Sequence, residues 1–200
     1  MTADRMAHRR QLREALRARR RALPAAARIA AAERLATQLL NLPFAPQSGY
    51  VAGYWAMDGE IALHVWQLKL PRECIYCLPV LHDDAGLRFA PWRPGDALVS
   101  NRYGIPEPDV ATGSLLDPDD LALAVMPLVG FDARGHRLGM GGGWYDRSFA
   151  ARHHRPAPPW LVGAAFDTQH ADALEPAEWD VTLDAVCTES RTYDCSSAPA

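Results

Sequence analysis

Residues 121–147 read "LALAVMPLVGFDARGHRLGMGGGWYDR", and the order of residue types in this stretch decides the fold. The run 121–131 is apolar almost throughout and short enough for a single strand, which marks it as the central strand of a sheet. Gly139, Gly141, Gly142 and Gly143 follow within a few residues, and then, with no spacer, Trp144, Tyr145, Asp146 and Arg147. A helix is expected from about Trp144 to Arg152. A buried strand, a glycine turn and a helix in succession are parts of a layered α/β domain.

Working outward, the remaining segments alternate in the same way. Residues 5–22 form a helical pattern that stops before Pro24, and Pro24 suits the opening of a second helix over 25–42. "GYVAGYWA" (49–56), "CIYCLPV" (74–80), "LRFAPW" (87–92), "WLVGAAF" (160–166) and "DAVCTE" (184–189) read as strands. "GEIALHVWQLKL" (59–70) reads as a helix entered through Glu60, and 101–120, rich in Pro, Gly and Asp, reads as loop. These elements predict one α/β domain over 1–195, with a mostly parallel, mixed sheet flanked by helices and a frayed tail over 196–200.

Composition narrows what such a domain does. The chain has 200 residues, 48% of them hydrophobic, enough to bury roughly 70% of its unfolded surface. The 24 acidic and 21 basic side chains leave a net charge of −3, too balanced for a nucleic-acid or membrane partner. The apolar run 121–131 is about half the length of a membrane span. Four cysteines in a chain of this size make no disulfide framework, and a reducing cytoplasm is the simplest setting. Cys74 and Cys77, lacking a second pair or a nearby His pair, read as core thiols. His153 and His154 fall at a helix end, where they suit the dipole better than a metal.

The basic side chains are unevenly placed. Arg5, Arg9, Arg10, Arg13, Arg17, Arg19, Arg20 and Arg21 crowd the first helix. Such a segment suits a mitochondrial presequence or, more plainly, a solvated helix face. Arg9, Arg13 and Arg17 recur at spacing four, stacking like charges along one stripe, and an anion against that stripe would remove the penalty.

The glycine stretch has two physical readings. It is either a tight turn or an anion nest, in which glycines free to take positive φ expose successive N–H groups and the following helix adds its positive end. It matches neither the Walker A spacing nor the Gly-x-Gly-x-x-Gly dinucleotide fingerprint. Asp146 is accordingly either a dipole-stabilising carboxylate or a ligand for phosphate-bound Mg²⁺.

The string "PLVGFDARGHRLGMGGGWYDR" resembles the signature of the 5-formyltetrahydrofolate cyclo-ligase family, also called 5,10-methenyltetrahydrofolate synthetase. "RRQLREALRARRRAL" (9–23), "DGEI" (58–61), "LPVL" (78–81), "YGIPEP" (103–108), "FDTQ" (166–169) and "EPAEWD" (175–180) resemble the family's remaining motifs, in its order. The resemblance implies an α/β fold similar to those of sugar-phosphate isomerases and CoA transferases. It implies an ATP- and Mg²⁺-dependent enzyme that cyclises 5-formyltetrahydrofolate to 5,10-methenyltetrahydrofolate, releasing ADP and phosphate, as a cytoplasmic monomer.

By the same resemblance, ATP contacts Arg9, Arg13, Arg137, Leu138, Gly139, Met140, Gly141, Gly142, Gly143, Trp144 and Tyr145. The folate contacts Trp55, Glu60 and the segment Met140, Gly141, Gly142, Gly143 and Trp144; Asp146 and Asp180 hold Mg²⁺; Tyr145 and Arg137 serve the reacting groups. Gln169 either buttresses the nucleotide site or is a plain loop amide, and Trp179 is expected to pack. Arg9 stands where the family usually has lysine, and Leu63 where it often has threonine. These departures leave a second reading, an inactive folate- or nucleotide-binding paralogue. A sugar-phosphate or CoA-transferase-like enzyme is an alternative at the level of fold only.

Overall fold

Helix α1 (Ala3–Arg21) packs Leu12 and Leu16 on Val129, Leu138 and Leu174. Its basic side chains are left to reach the loops beside it. The computed structural model describes residues 3–82, 84 and 86–195. Pro24 caps helix α2 (Ala25–Leu40), as its fixed φ suggests, and α2 buries Ala31, Ala32, Leu35, Ala36 and Leu39, the three-and-four spacing of one helical face.

A seven-stranded sheet forms the centre. Strands β1 (Ser48–Ala52), β2 (Glu73–Leu81), β6 (Leu121–Pro127), β9 (Trp160–Ala164) and β10 (Ala185–Cys187) are mutually parallel, in the order β10-β9-β6-β1-β2. Antiparallel edge strands close it, β3 (Leu87–Pro91) beside β2 and β11 (Thr192–Asp194) beside β10. The expected mixed, mostly parallel sheet is therefore present. Alternation along β6 shows why its sequence is apolar throughout: Leu123 and Val125 face the core under α2, while Ala124 and Met126 face Phe89 and Phe149 on the other side.

Several element boundaries differ from the sequence expectation. β1 ends at Ala52, and the next residue, Gly53, lies against the Tyr76 ring, where a Cβ would collide. The helix expected over 59–70 is only α3 (His64–Lys69). Asp58 (φ +53) and Gly59 (φ +76) are both left-handed, and the Glu60 amide donates to Met57 O at 2.9 Å, so 57–60 is a tight turn of the Asp-Gly kind.

The loop 101–120 contains β5 (Pro106–Pro108), paired with β4 (Leu98–Ser100). β6 stops at Pro127, and the end of the expected strand becomes β7 (Gly130–Phe131), which pairs with β8 (Arg137–Leu138). Helix α4 (Trp144–Ser148) covers five residues, with a 3₁₀ turn at Ala150–His153 in place of its expected second half. Strand β11 continues past the last expected strand and ends beside Cys195, which is buried; the tail 196–200 lies outside the described residues.

The topology positions a site. From β1 the chain moves to β2 on one side, whereas β6, β9 and β10 build outward on the other. Ligands of open α/β sheets lie in the crevice where neighbouring strands lead away in opposite directions, beyond their carboxyl ends. Here that place is the gap between the ends of β1 and β6.

Candidate functional site

A cleft of about 480 Å³ opens at that gap. Tyr54 and Trp55 follow β1 into it, Pro79 and Leu81 come from β2, and Pro127 and Leu128 from the end of β6. The glycine segment 139–143 forms one wall and the 57–60 turn another.

One half of the cleft is cationic and rich in exposed backbone. Gly141 (φ +101) and Gly143 (φ +65) are left-handed, a conformation that glycine alone adopts freely. Gly143 leads directly into α4, so the loop and the helix start are continuous. Because α4 is five residues long, its dipole adds little, contrary to the sequence expectation, and any anion affinity must come from loop N–H groups and guanidiniums. Arg13 reaches the loop from α1, with Nε donating to Gly139 O at 2.8 Å. Burial, then the neighbouring Arg9, lower its pKa from the usual arginine value.

The carboxylates expected to hold metal both lie here, each on an arginine. Asp180 Oδ2 accepts Arg9 Nη2 at 2.9 Å and the Ala177 amide at 2.9 Å. Asp146 Oδ1 accepts Arg137 Nη2 at 2.5 Å and the Val181 amide at 3.2 Å. That last bond sets Asp146 beside the segment bearing Asp180. Among the described residues, no cluster of three or more His, Cys, Asp or Glu side chains could form an all-protein metal cage.

The other half is apolar and aromatic. Trp55, Met57, Tyr103, Met140 and Trp179 all line the cleft and are among the exposed large hydrophobic residues of the chain. Trp179 is 57% exposed, so the expectation that it packs is corrected. Trp55 meets Trp92 edge-on at 5.7 Å, and Trp144 meets Tyr103 at 6.2 Å. Exposed rings gathered in one concavity are a surface for a flat, partly apolar ligand.

Glu60 sits at the inner end of this half. Its Oε2 accepts the Met57 amide at 2.9 Å, and Arg20 Nη1 lies 3.8 Å from Oε1. Burial raises its pKa to about 6, a rise that the Met57 amide and the Arg20 charge only partly counter. Tyr145 stacks on Phe149 at 6.4 Å with Arg137 5.8 Å from its ring, and burial pushes its phenol far above the usual value. It therefore stays a proton donor.

The structure brings together every expected site residue except the Leu138 side chain, which is buried against Leu16, Val129 and Leu174. Gln169 is no plain loop amide. It is buried, with Nε2 donating to Leu128 O at 2.8 Å and Val129 O at 3.1 Å while Oε1 accepts the Phe166 amide at 2.9 Å, bracing the end of β6. Sequence reasoning missed Arg20, Asp58 and Trp92; the positive φ at Asp58 and the burial of Arg20 depend on tertiary packing. The arginine stripe is consumed one residue at a time, Arg9 on Asp180, Arg13 on Gly139 O and Arg17 on Asp58. Cys77 is buried, as expected of a core thiol, whereas Cys74 is only half-buried against the core under α2; burial raises both thiols.

Fold and cleft together define an open-sheet α/β enzyme with a two-part site, cationic on one side and aromatic on the other. A profile of the 5-formyltetrahydrofolate cyclo-ligase family matches residues 5–189. The chain is 37% identical over 183 residues to the 5-formyltetrahydrofolate cyclo-ligase of Escherichia coli K12, covering 90% of this chain and 99% of that protein. It is 34% identical over 179 residues to the Haemophilus influenzae protein of the same name, covering 88% and 94% of the two chains. The solved structure of Aquifex aeolicus 5,10-methenyltetrahydrofolate synthetase superposes with a TM-score of 0.80 at 26% identity, over 96% of this chain and 95% of that one. The chain belongs to the 5-formyltetrahydrofolate cyclo-ligase family.

Proposed function

We propose that the protein converts 5-formyltetrahydrofolate to 5,10-methenyltetrahydrofolate at the expense of ATP, with Mg²⁺ bound beside the phosphates. The observation that carries this reading is the division of one cleft into a cationic glycine-loop half and an aromatic half with a buried carboxylate. Two ligands of opposite character are thereby held next to each other.

The triphosphate would lie along the amides of 139–143 with Arg9, Arg13 and Arg137 around it, and the folate against Trp55, Trp144 and Glu60. The formyl oxygen takes the γ-phosphoryl group, ADP leaves, the neighbouring amine attacks the activated carbon, and the carbon–oxygen bond breaks to release phosphate, which carries away the proton that the amine loses. No nucleophilic side chain is needed. The protein's share is alignment and charge neutralisation. Tyr145, held protonated, would donate a hydrogen bond to the departing oxygen, and Arg137 beside it would offset developing negative charge.

Asp146 and Asp180 fit a Mg²⁺ site of the kind that takes one or two carboxylates and completes its shell with phosphates and water. Among the described residues, Asp146 Oδ2 and Asp180 Oδ1 accept no protein hydrogen bond, so each carboxylate has an oxygen to offer. Bound there, the ion would neutralise charge on the transferring phosphoryl group. An incoming triphosphate would also compete with these carboxylates for Arg9 and Arg137.

Retention of both aspartates favours an enzyme over the inactive paralogue. The test is the near-ultraviolet absorbance of methenyltetrahydrofolate after mixing protein with 5-formyltetrahydrofolate, with ATP and Mg²⁺ each present or withheld. A rise that needs both is expected. No rise from folded protein that still binds the folate would give the paralogue instead.

A further inference from the structure

Nothing in that reading says what holds Glu60 at the cleft, and the neighbouring Asp58 gathers more partners than a turn residue requires. Its φ of +53 is the left-handed conformation that the first central residue of an Asp-Gly turn adopts, which accounts for an Asp or Asn here but not for the guanidiniums gathered on it. Three guanidiniums from one helix converge on its carboxylate, with Arg17 Nε at 2.9 Å and Arg20 Nη2 at 2.8 Å from Oδ2, and Arg21 on Oδ1. Burial pushes the Asp58 carboxyl up, but the hydrogen bonds of Arg17 and Arg21 and the charges of Arg17 and Arg20 outweigh it and leave its pKa lowered.

Stability alone does not explain this arrangement. Arg17 and Arg21 are partly exposed, where ion pairs contribute little. Arg20 is the opposite case: its side chain is 1% exposed and its Nε is buried with no hydrogen-bond partner among the described residues. A buried, incompletely satisfied guanidinium persists only where its surroundings hold it, and it calls for an explanation beyond stability.

The contacts of Arg20 show what is gained. Nη2 holds Asp58, Nη1 donates to Leu128 O at 3.2 Å at the end of β6, and the same Nη1 lies 3.8 Å from Glu60. The turn, α1 and the end of β6 therefore meet on one side chain, and Glu60 is the turn residue facing it.

We propose that Asp58 is a positioning residue for the folate half of the cleft: by gathering Arg17, Arg20 and Arg21 it locks the 57–60 turn to α1 and so sets the Glu60 carboxylate in the cleft wall. This rests on the reading above for the identity of the ligand. Arg13 and Arg9 lie about one and two turns before Arg17 on α1 and hold different partners, Gly139 O and Asp180, so loosening the turn leaves the nucleotide half in place.

The test is Asp58→Asn, which tolerates the left-handed backbone but loses the charge. The expected result is a rise of about tenfold or more in KM for 5-formyltetrahydrofolate, with KM for ATP changed by less than about twofold. The double variant Arg17→Gln with Arg21→Gln, altering only the outer members of the clasp, is expected to move the same way by a smaller factor and guards against misfolding of the first. Direct titration of 5-formyltetrahydrofolate, followed by tryptophan fluorescence without ATP, must weaken in parallel. A lowered melting temperature with unchanged folate KM and affinity would overturn the proposal, as would equal rises in both KM values. If wild-type protein binds the folate but yields no methenyl product, the functional reading fails separately and the titration alone decides the role of Asp58.

Discussion

Replacing Glu60 by glutamine removes a carboxylate that the folded protein ionises reluctantly, and the consequence for stability has a definite sign and size. In the unfolded chain Glu60 titrates near 4.5; in the fold burial raises it to about 6. Between those values the folded state binds more protons than the unfolded one, so stability from this group is complete below pH 4.5 and declines as the pH passes 6. The difference of roughly 1.5 units corresponds to about 2 kcal/mol lost by neutral pH.

Glutamine copies the protonated acid in shape and retains an oxygen for the Met57 amide, while Arg20 keeps Asp58 and Leu128 O as partners. Glu60→Gln should therefore match wild type near pH 4 and exceed it by about 2 kcal/mol at pH 7.5, or roughly 4–8 °C in melting temperature. The assay is urea unfolding of ligand-free protein at closely spaced pH values, read as the difference between the two proteins so that other carboxylates cancel. Parallel stability curves, or a variant less stable at pH 7.5 than at pH 4 relative to wild type, would refute the reasoning. The gain in stability should be accompanied by weaker folate binding, the usual cost of relieving a strained site.

Two further perturbations test the supports of the cleft. Gln169→Leu leaves Val129 O and the Phe166 amide without their side-chain partner, with Leu128 O keeping Arg20 Nη1, and should cost about 3 kcal/mol in urea unfolding; a loss under about 1 kcal/mol would mean that β6 ends where it does without this brace. Asp146→Asn keeps an acceptor for Arg137 and the Val181 amide, so the fold should persist while the Mg²⁺ concentration needed for half-maximal turnover rises about tenfold or more; an unchanged requirement at saturating ATP would remove Asp146 from the metal site.

Much of this site was legible because its ligand-facing parts are contiguous in the chain. The 139–143 loop and Asp146 occupy one short segment, and a strand feeding a glycine turn identifies itself through local backbone physics. The sheet was legible for a similar reason: strands buried on both faces are apolar throughout, as β6 is. Helical periodicity failed at 59–63. There Ile61 and Leu63 are buried from an irregular segment, and an Asp-Gly turn stands where the pattern suggests a helix start. β5 was hidden because two of its three residues are proline.

Sequence alone therefore determined the α/β class with its mostly parallel sheet, the glycine turn and the family, since each depends on residues close together or on a linear series of motifs. Only the tertiary structure decided which arginine serves which loop, that Arg20 is buried between Asp58, Glu60 and Leu128 O, and that Gln169 braces β6. An arginine's charge is the same at every position of α1, but its partner is selected by which loop the completed sheet places within reach of its side chain, and by how little water remains there.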